Sequence, residues 1–200
     1  MATELELKLA VDDLHLLDCI LCSADVRSRM QGDFTYVQTE STYFDTPDGK
    51  LAEKHWALRL RKLAGKSIVT VKTPGEGLAR GEWETEAEYL EDAVPKLVKD
   101  GAPAQLAEIL KAGALAPVCG TKFTRIRALL QLDGCVCELA GDIGELSRGA
   151  HRAPLCELEL ELKAGEAAPM LAYGRALAEK FGLREEPHSK SERARRLEQA

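Results

Sequence analysis

Polar and apolar residues alternate with a period of two along most of this chain, the pattern of strands that turn one face to a core and the other away from it. Met1–Ala10 is predicted to be such a strand, with Leu5, Leu7 and Leu9 on one side and Glu4, Glu6 and Lys8 on the other. Val11–Ala24 follows as a helix that Asp12 or Asp13 can cap, with Leu16, Leu17, Ile20 and Leu21 as its stripe. Phe34–Asp45, rich in Thr, Tyr, Val and Phe, reads as a strand. Thr46-Pro47-Asp48 starts a short helical turn, with Thr as cap and Pro in the first position, while Asp48-Gly49 is most simply a turn. His55–Leu63 and Lys66–Thr73 form a hairpin across Gly65, Pro74-Gly75-Glu76-Gly77 is a loop, and Gly81–Tyr89 is a further strand. Residues 91–116 read as two short helices divided near Gly101-Ala102-Pro103. Lys122–Leu132, Cys135–Ala140 and Ile143–Ser147 make a meander, and Pro154–Lys163 is another strand. Glu166–Phe181 is an amphipathic helix stopped at Gly182, and Ser189–Gln199 a last short helix. With no long linker, low-complexity run or internal repeat, residues 1–200 are expected to form a single α+β domain.

Bulk properties narrow the function classes. A composition of 45% hydrophobic and 30% charged residues is ordinary for a soluble globular protein. No apolar run approaches the ~18 residues of a membrane span, and the opening residues lack the basic and apolar regions of a secretory signal. A cytoplasmic protein with no membrane partner is expected. The net charge of −6 weighs against nucleic-acid binding, although a sum says nothing about how the charge is distributed. Cys19-x-x-Cys22 has the spacing of half a zinc site or a redox pair, but no second CxxC or HxxxH follows. The cysteines are therefore expected to be small buried hydrophobes in a reducing compartment. Each of the four histidines is expected to have a surface or packing role.

The polar strand faces carry the chemistry. Glu4, Glu6 and Lys8 come first, then Arg59, Arg61 and Lys72, then Glu82, Glu84 and Glu86. Arg125 and Arg127 follow, then Glu138, then Glu157, Glu159 and Glu161. A sheet with one solvated face also carries alternating charges. Such faces usually mix signs and neutral polar residues, however, whereas here whole strands are acidic or basic. Opposed like charges destabilise a sheet, so stacked glutamates suit a bound cation and stacked arginines a bound anion. Carboxylates are the ligands of hard divalent ions, and arginine forks and lysine ammonium groups bind phosphate oxygens. A metal-bound polyphosphate satisfies both sets, provided the strands close into a barrel with the charged faces inward.

The ordered set of motifs resembles a known family. Glu4-Leu-Glu6-Leu-Lys8 is similar to the ExExK signature of the CYTH superfamily, the triphosphate tunnel metalloenzymes. Tyr43-Phe44-Asp45-Thr46-Pro47, Leu58-Arg59-Leu60-Arg61, Thr70-Val71-Lys72 and Arg80-x-Glu82 continue the likeness. Arg125-x-Arg127, Glu138 with Asp142-x-Gly144-Glu145, Glu157-x-Glu159-x-Glu161 and Ser189-Lys190-Ser191 complete it in the family's order. The chain looks most like the bacterial inorganic triphosphatases often fused to a helical CHAD domain, so a CHAD domain, fused or separate, is an expected partner. None lies within these 200 residues, which makes the chain either a stand-alone form or an excised domain.

The resemblance implies a closed eight-stranded antiparallel β-barrel flanked by helices. It implies divalent metal, Mg²⁺ or Mn²⁺, on Glu4, Glu6, Glu159 and Glu161, with Glu157 and Glu138 as further candidates. It implies phosphate binding by Lys8, Arg59, Arg61, Lys72, Arg125, Arg127 and Lys190, with Arg80 and Glu82 as partners near the tunnel. The expected reaction is hydrolysis of inorganic triphosphate to pyrophosphate and phosphate, with Glu4, Glu6, Lys8, Glu159 and Glu161 at the reacting centre. The alternatives are an organic triphosphate in the same tunnel, as in class IV adenylate cyclases and thiamine triphosphatases, or a non-catalytic polyphosphate-binding module. Aromatic residues at 5% favour the bare inorganic chain. Tyr43, Phe44 and Trp56 are expected to pack in the core or rim, Asp142-x-Gly144-Glu145 is either a turn or a ligand set, and Lys163 is either lining or a solvated strand end.

Overall fold

The alternating strands curl into a ring. A computed structural model describes residues 2–63, 65–75, 77, 79–113 and 115–197, so Met1, Glu76, Ala114, Glu198 and Gln199 of the segments expected above lie outside the described residues. The eight long strands are β1 (Ala2–Ala10), β2 (Met30–Asp45), β3 (Ala57–Leu63), β4 (Lys66–Pro74), β5 (Ala79–Glu86), β6 (Ala116–Leu132), β7 (Cys135–Arg148) and β8 (His151–Gly165). They pair antiparallel in the order β5-β4-β3-β2-β6-β7-β8-β1. The ring closes because β1 has two partners: Ala2–Leu5 pair with β5, and Glu6–Ala10 with β8. A two-residue strand, β9 (Arg184–Glu185), takes the edge of β1 that β5 leaves free, opposite Leu9 and Ala10. The closed eight-stranded antiparallel barrel with flanking helices is the architecture expected from the sequence.

Because successive side chains point to opposite faces, a charged interior forces the apolar faces outward, where helices must cover them. Leu7 and Leu9 of β1, Leu158 and Leu160 of β8, and Cys137 and Leu139 of β7 are buried against α1 (Leu14–Leu21), α2 (Ala24–Arg29) and α6 (Ala167–Phe181). Leu58, Val69, Val71 and Trp83 form a second core under α4 (Leu90–Lys99) and α5 (Gln105–Ala112). A third, around Tyr43, Phe123, Leu146 and Leu155, meets Ala194 of α7 (Lys190–Arg195). Tyr43 and Trp56 pack as expected, Trp56 against the second core.

Several boundaries differ from the sequence reading. The Val11–Ala24 helix is α1, capped by Asp13 and ended at Leu21, and α2 is a further helix that the sequence reading did not predict: Ser23 leaves the helical region (ψ 143°) and its side chain accepts from the Val26 amide. The helix after Thr46-Pro47 is α3 (Lys50–Glu53), beginning behind a turn, with Thr46 Oγ1 accepting from the Lys50 amide. β2 starts at Met30, across a bulge between Gln31 and Thr35, and β6 starts at Ala116. The meander is one unbroken β7. Gly141 and Gly144 read as breaks, but they mark close approaches. A Cβ at Gly144 would collide with the Lys122 carbonyl and Phe123, and one at Gly141 would press on Leu17. Asp142-x-Gly144-Glu145 is therefore mid-strand and no turn. Cys19 and Cys22 are exposed near the end of α1, which corrects the expectation of burial for that pair; Cys119, Cys135 and Cys137 are buried as expected.

Leu158 lies on β8 in the largest outer core and is fully buried. Leu158→Ala is expected to lower unfolding free energy by about 2–5 kcal/mol, the cost of a core cavity, with urea denaturation as the measurement.

Candidate active site

The inward positions enclose a cavity of about 790 Å³. Register fixes which charges meet across neighbouring strands. Glu6 stands opposite Glu161, and Glu161 opposite Glu138, so three carboxylates form a row across β1, β8 and β7. Lys8 stands opposite Glu159, Asp142 opposite Glu157, Glu4 opposite Arg80, and Lys72 opposite Glu82. Arg59 and Arg61 extend the basic wall along β3.

These groups fall into three zones. In the first, charges neutralise one another. Lys190 reaches the inside from α7, whose Ser189–Glu192 capping box fixes its start. Its ammonium lies 2.7 Å from Asp142 Oδ2 and 2.7 Å from Glu159 Oε1, and it also contacts Glu157 Oε1. Arg125 donates from both Nε and Nη2 to Asp142, each at 2.7 Å, and Nη2 also contacts Glu159. Arg193 pairs with Glu157 from the outer side. Burial works against a charged Glu159, but Lys190 and Arg125 hold its pKa well below the ordinary carboxylate range. Burial likewise opposes the Lys190 and Arg125 cations, yet the facing carboxylates raise both.

The second zone is the carboxylate row. Most of its ion pairs are longer: Lys8 is 3.6 Å from Glu6, Arg80 3.8 Å from Glu6, and Arg127 3.2 Å from Glu138. Lys163 meets Glu161 at 2.6 Å, so it belongs to the lining. Burial raises the Glu161 pKa; Lys163 opposes the shift, and the negative charges of Glu4 and Glu138 add to it. The third zone is the basic wall. Lys72 is bound to Glu4 at 2.5 Å and lies 3.3 Å from Glu82. Arg59 donates to Thr70 Oγ1 at 3.0 Å and is 3.8 Å from Glu82. Arg61 has no ion pair among the described residues, and its buried Nε has no hydrogen-bond partner. Burial pushes the Arg61 pKa down to about 10, and neighbouring Arg59 and Arg125 push the same way.

Glu4, Glu6, Lys8, Arg59, Arg61, Lys72, Arg80, Arg125, Arg127, Glu138, Glu159, Glu161 and Lys190 all line this one cavity. Glu157 does not. It is fully buried between Lys190 and Arg193 and serves to seat α7. The sequence reading left three contributors outside its site. Asp142 completes the first zone; its place two and four residues from Ala140 and Glu138 on one strand face was the available signal. Arg193 and Arg195 had none, because a short helix hides which of its cations turn inward. Arg195 ties α7 to Asp45 at 2.8 Å, and Asp45 also accepts from the Thr46, Leu51 and Ala52 amides.

The donor set suits a hard divalent cation. Glu4, Glu6, Glu138 and Glu161 present carboxylate oxygens to the cavity, and the mutual repulsion of neighbouring acids raises the Glu161 pKa beyond what burial does. A second acidic group, Asp142, Glu157 and Glu159, has ligand oxygens within 4.8 Å of one another, but the Lys190 ammonium already sits among them.

Known proteins share this architecture. HpAC1 from Hippeastrum, for which a dominant triphosphatase activity is reported, superposes with a TM-score of 0.54 at 18% identity, covering 98% of this chain and 95% of its own. PH1819 from Pyrococcus horikoshii gives 0.57 at 20% identity, covering 93% and 94%. The inorganic triphosphatase of Haemophilus influenzae is 26% identical over 181 residues, which is 86% of this chain and 49% of that protein. The chain thus spans about half the length of that curated relative. The CYTH domain pattern matches residues 2–194, from the closing strand into α7, and the chain belongs to the CYTH domain family.

Proposed function

We propose that this chain is a divalent-metal-dependent triphosphatase that cleaves inorganic triphosphate to pyrophosphate and phosphate inside the barrel. The observation that carries the reading is the segregation of like charge within one cavity. Arg61 is half-buried with no ion pair among the described residues, while Glu6, Glu161 and Glu138 stand side by side in register. One wall suits an anion and the other a cation, and a metal-bound phosphate chain is both. The inorganic triphosphatase relative supports the choice of substrate. The binding-only alternative would leave the carboxylate row without a task.

Glu4, Glu6, Glu138 and Glu161 would hold the cation, Mg²⁺ or Mn²⁺, and Glu159 would join them where Lys190 gives way. When bound, the metal supplies charge neutralisation at phosphate oxygens and lowers the pKa of a coordinated water. The residues of the chain do the rest. Arg59, Arg61 and Lys72 grip non-bridging oxygens and hold the phosphates in line, which is most of what phosphoryl transfer asks of a protein. Lys8, which lines the cavity beside Glu6 and opposite Glu159, would meet the phosphoryl group under attack. Arg80 and Arg127 flank the chain on either side. Arg125 and Lys190 keep the Asp142–Glu157–Glu159 group neutralised and so fix the wall behind the reaction. Water adds to the terminal phosphorus, its anhydride bond breaks, and pyrophosphate leaves with the electron pair. We read residues 1–200 as one catalytic unit, which in a longer protein would work beside a further domain such as CHAD.

Glu6→Gln and Glu161→Gln are expected to lower Mg²⁺- or Mn²⁺-supported phosphate release at least about 100-fold, the scale of removing one preorganised electrostatic contact. Glu161→Gln should not lower the melting temperature, because burial and neighbouring acids disfavour the charge it removes; normal turnover in both would refute the metal assignment. Arg61→Ala should weaken triphosphate binding and leave Mn²⁺ affinity unchanged in calorimetric titration, since no ion pair of the protein is lost with it. In a panel of inorganic triphosphate, ATP and thiamine triphosphate, the inorganic chain should give the highest kcat/KM, and a preference for either organic substrate would move the assignment to that class.

A further inference from the structure

His55 sits where the backbone asks for glycine. Helix α3 ends in a Schellman turn: the Trp56 amide donates to the Leu51 carbonyl at 2.8 Å, and the His55 amide to the Ala52 carbonyl at 2.9 Å. That turn puts residue 55 in the left-handed region, with φ of 54°, and among the described residues it is the one non-glycine found there. Glycine adopts this geometry without the Cβ clash, and Gly182 does so at the end of α6 with φ of 68°. Packing does not offset the strain, because the His55 side chain is 74% exposed. Its ring lines the mouth of the tunnel, facing Glu192 of α7 with Nδ1 4.0 Å from Oε1. Arg195 lines the same cavity, but its Nη1 is held by Asp45 and its Nη2 is buried, so His55 is the exposed one of the two. A strained residue that gains nothing from burial points to a role for its side chain.

We propose that His55 is a specificity residue, binding an anionic group of the substrate that projects beyond the three-phosphate cradle: the fourth phosphate of a longer inorganic polyphosphate. This rests on the triphosphatase reading. The exposed imidazole is a donor at the mouth, apart from the Arg59–Arg61–Lys72 wall that takes the first three phosphates. On this reading three phosphates fill that wall, and only a fourth meets His55.

The test uses the whole chain with Mg²⁺ and two substrates, tripolyphosphate and tetrapolyphosphate. His55→Gly and His55→Asn both tolerate the left-handed backbone, so neither variant should unfold, and the glycine variant should melt at or above the parent temperature. If His55 serves the rim, the ratio of kcat/KM for tetrapolyphosphate to that for tripolyphosphate falls about five- to tenfold in both variants, the worth of one charge-assisted hydrogen bond. A purely structural histidine would leave that ratio unchanged while the glycine variant gained stability, and this result overturns the proposal. If the parent cleaves neither substrate, the triphosphatase reading falls. Calorimetric affinity for the same two anions then decides on His55, with an unchanged affinity ratio between parent and variants counting against it.

Discussion

Every part of this fold answers to the cost of taking charge out of water. Isolated ions transferred to a protein interior lose several kcal/mol of solvation even after relaxation, and here an entire barrel lumen is made of them. The structure meets that cost by pairing. Asp142, Glu157 and Glu159 surround Lys190, with Arg125 and Arg193 completing their coordination. Where like charges stand side by side, in the Glu6–Glu161–Glu138 row, and where pairing stops, at Arg61, a ligand gains most.

The same constraint explains the helices. With the lumen given over to ions, the apolar faces of the strands look outward, and three separate cores form between barrel and cover. Helix α6 shows how close the cover lies: a Cβ at Gly174 would strike the Leu7 side chain of β1. The ends of the tunnel are treated differently. Helix α7 brings little apolar surface beyond Ala194 and is held by cations on each turn, Lys190, Arg193 and Arg195, pairing with acids on β2, β7 and β8 and with Glu186. It is an ionic cap on an ionic cavity.

Much of this was legible in the chain because a period of two survives any tertiary context. Once Leu5, Leu7 and Leu9 are assigned outward, Glu4, Glu6 and Lys8 must face inward, and the same parity assigns Arg59, Arg125 and Glu161. Ring closure was not readable from parity and came through the family likeness. Residues that break the period were misread for physical reasons. Gly141 and Gly144 looked like turns, because a missing side chain signals flexibility in a sequence and close packing in a sheet. Ser23 looked like the end of one helix, although its hydroxyl also suits the start of another. Arg193 and Arg195 sit on a helix of six residues, too short for periodicity to show a face, and their partners lie far away in sequence.

The split allegiance of β1 bears on how the protein comes to be folded. Its first half pairs with β5 and its second half with β8, so the strand made earliest is the one that seals a ring whose final stave is among the last. Local hairpins such as β3–β4 and β6–β7 can form as they emerge, but the lumen cannot exist before that long-range closure, which is slow because distant segments must meet. Until then the acidic and basic staves stand in water as ordinary solvated strands, and their outward apolar faces are what a nascent chain must keep from its neighbours. The ionic interior is thus the part of the molecule safest to expose during synthesis, and the greasy exterior the part at risk.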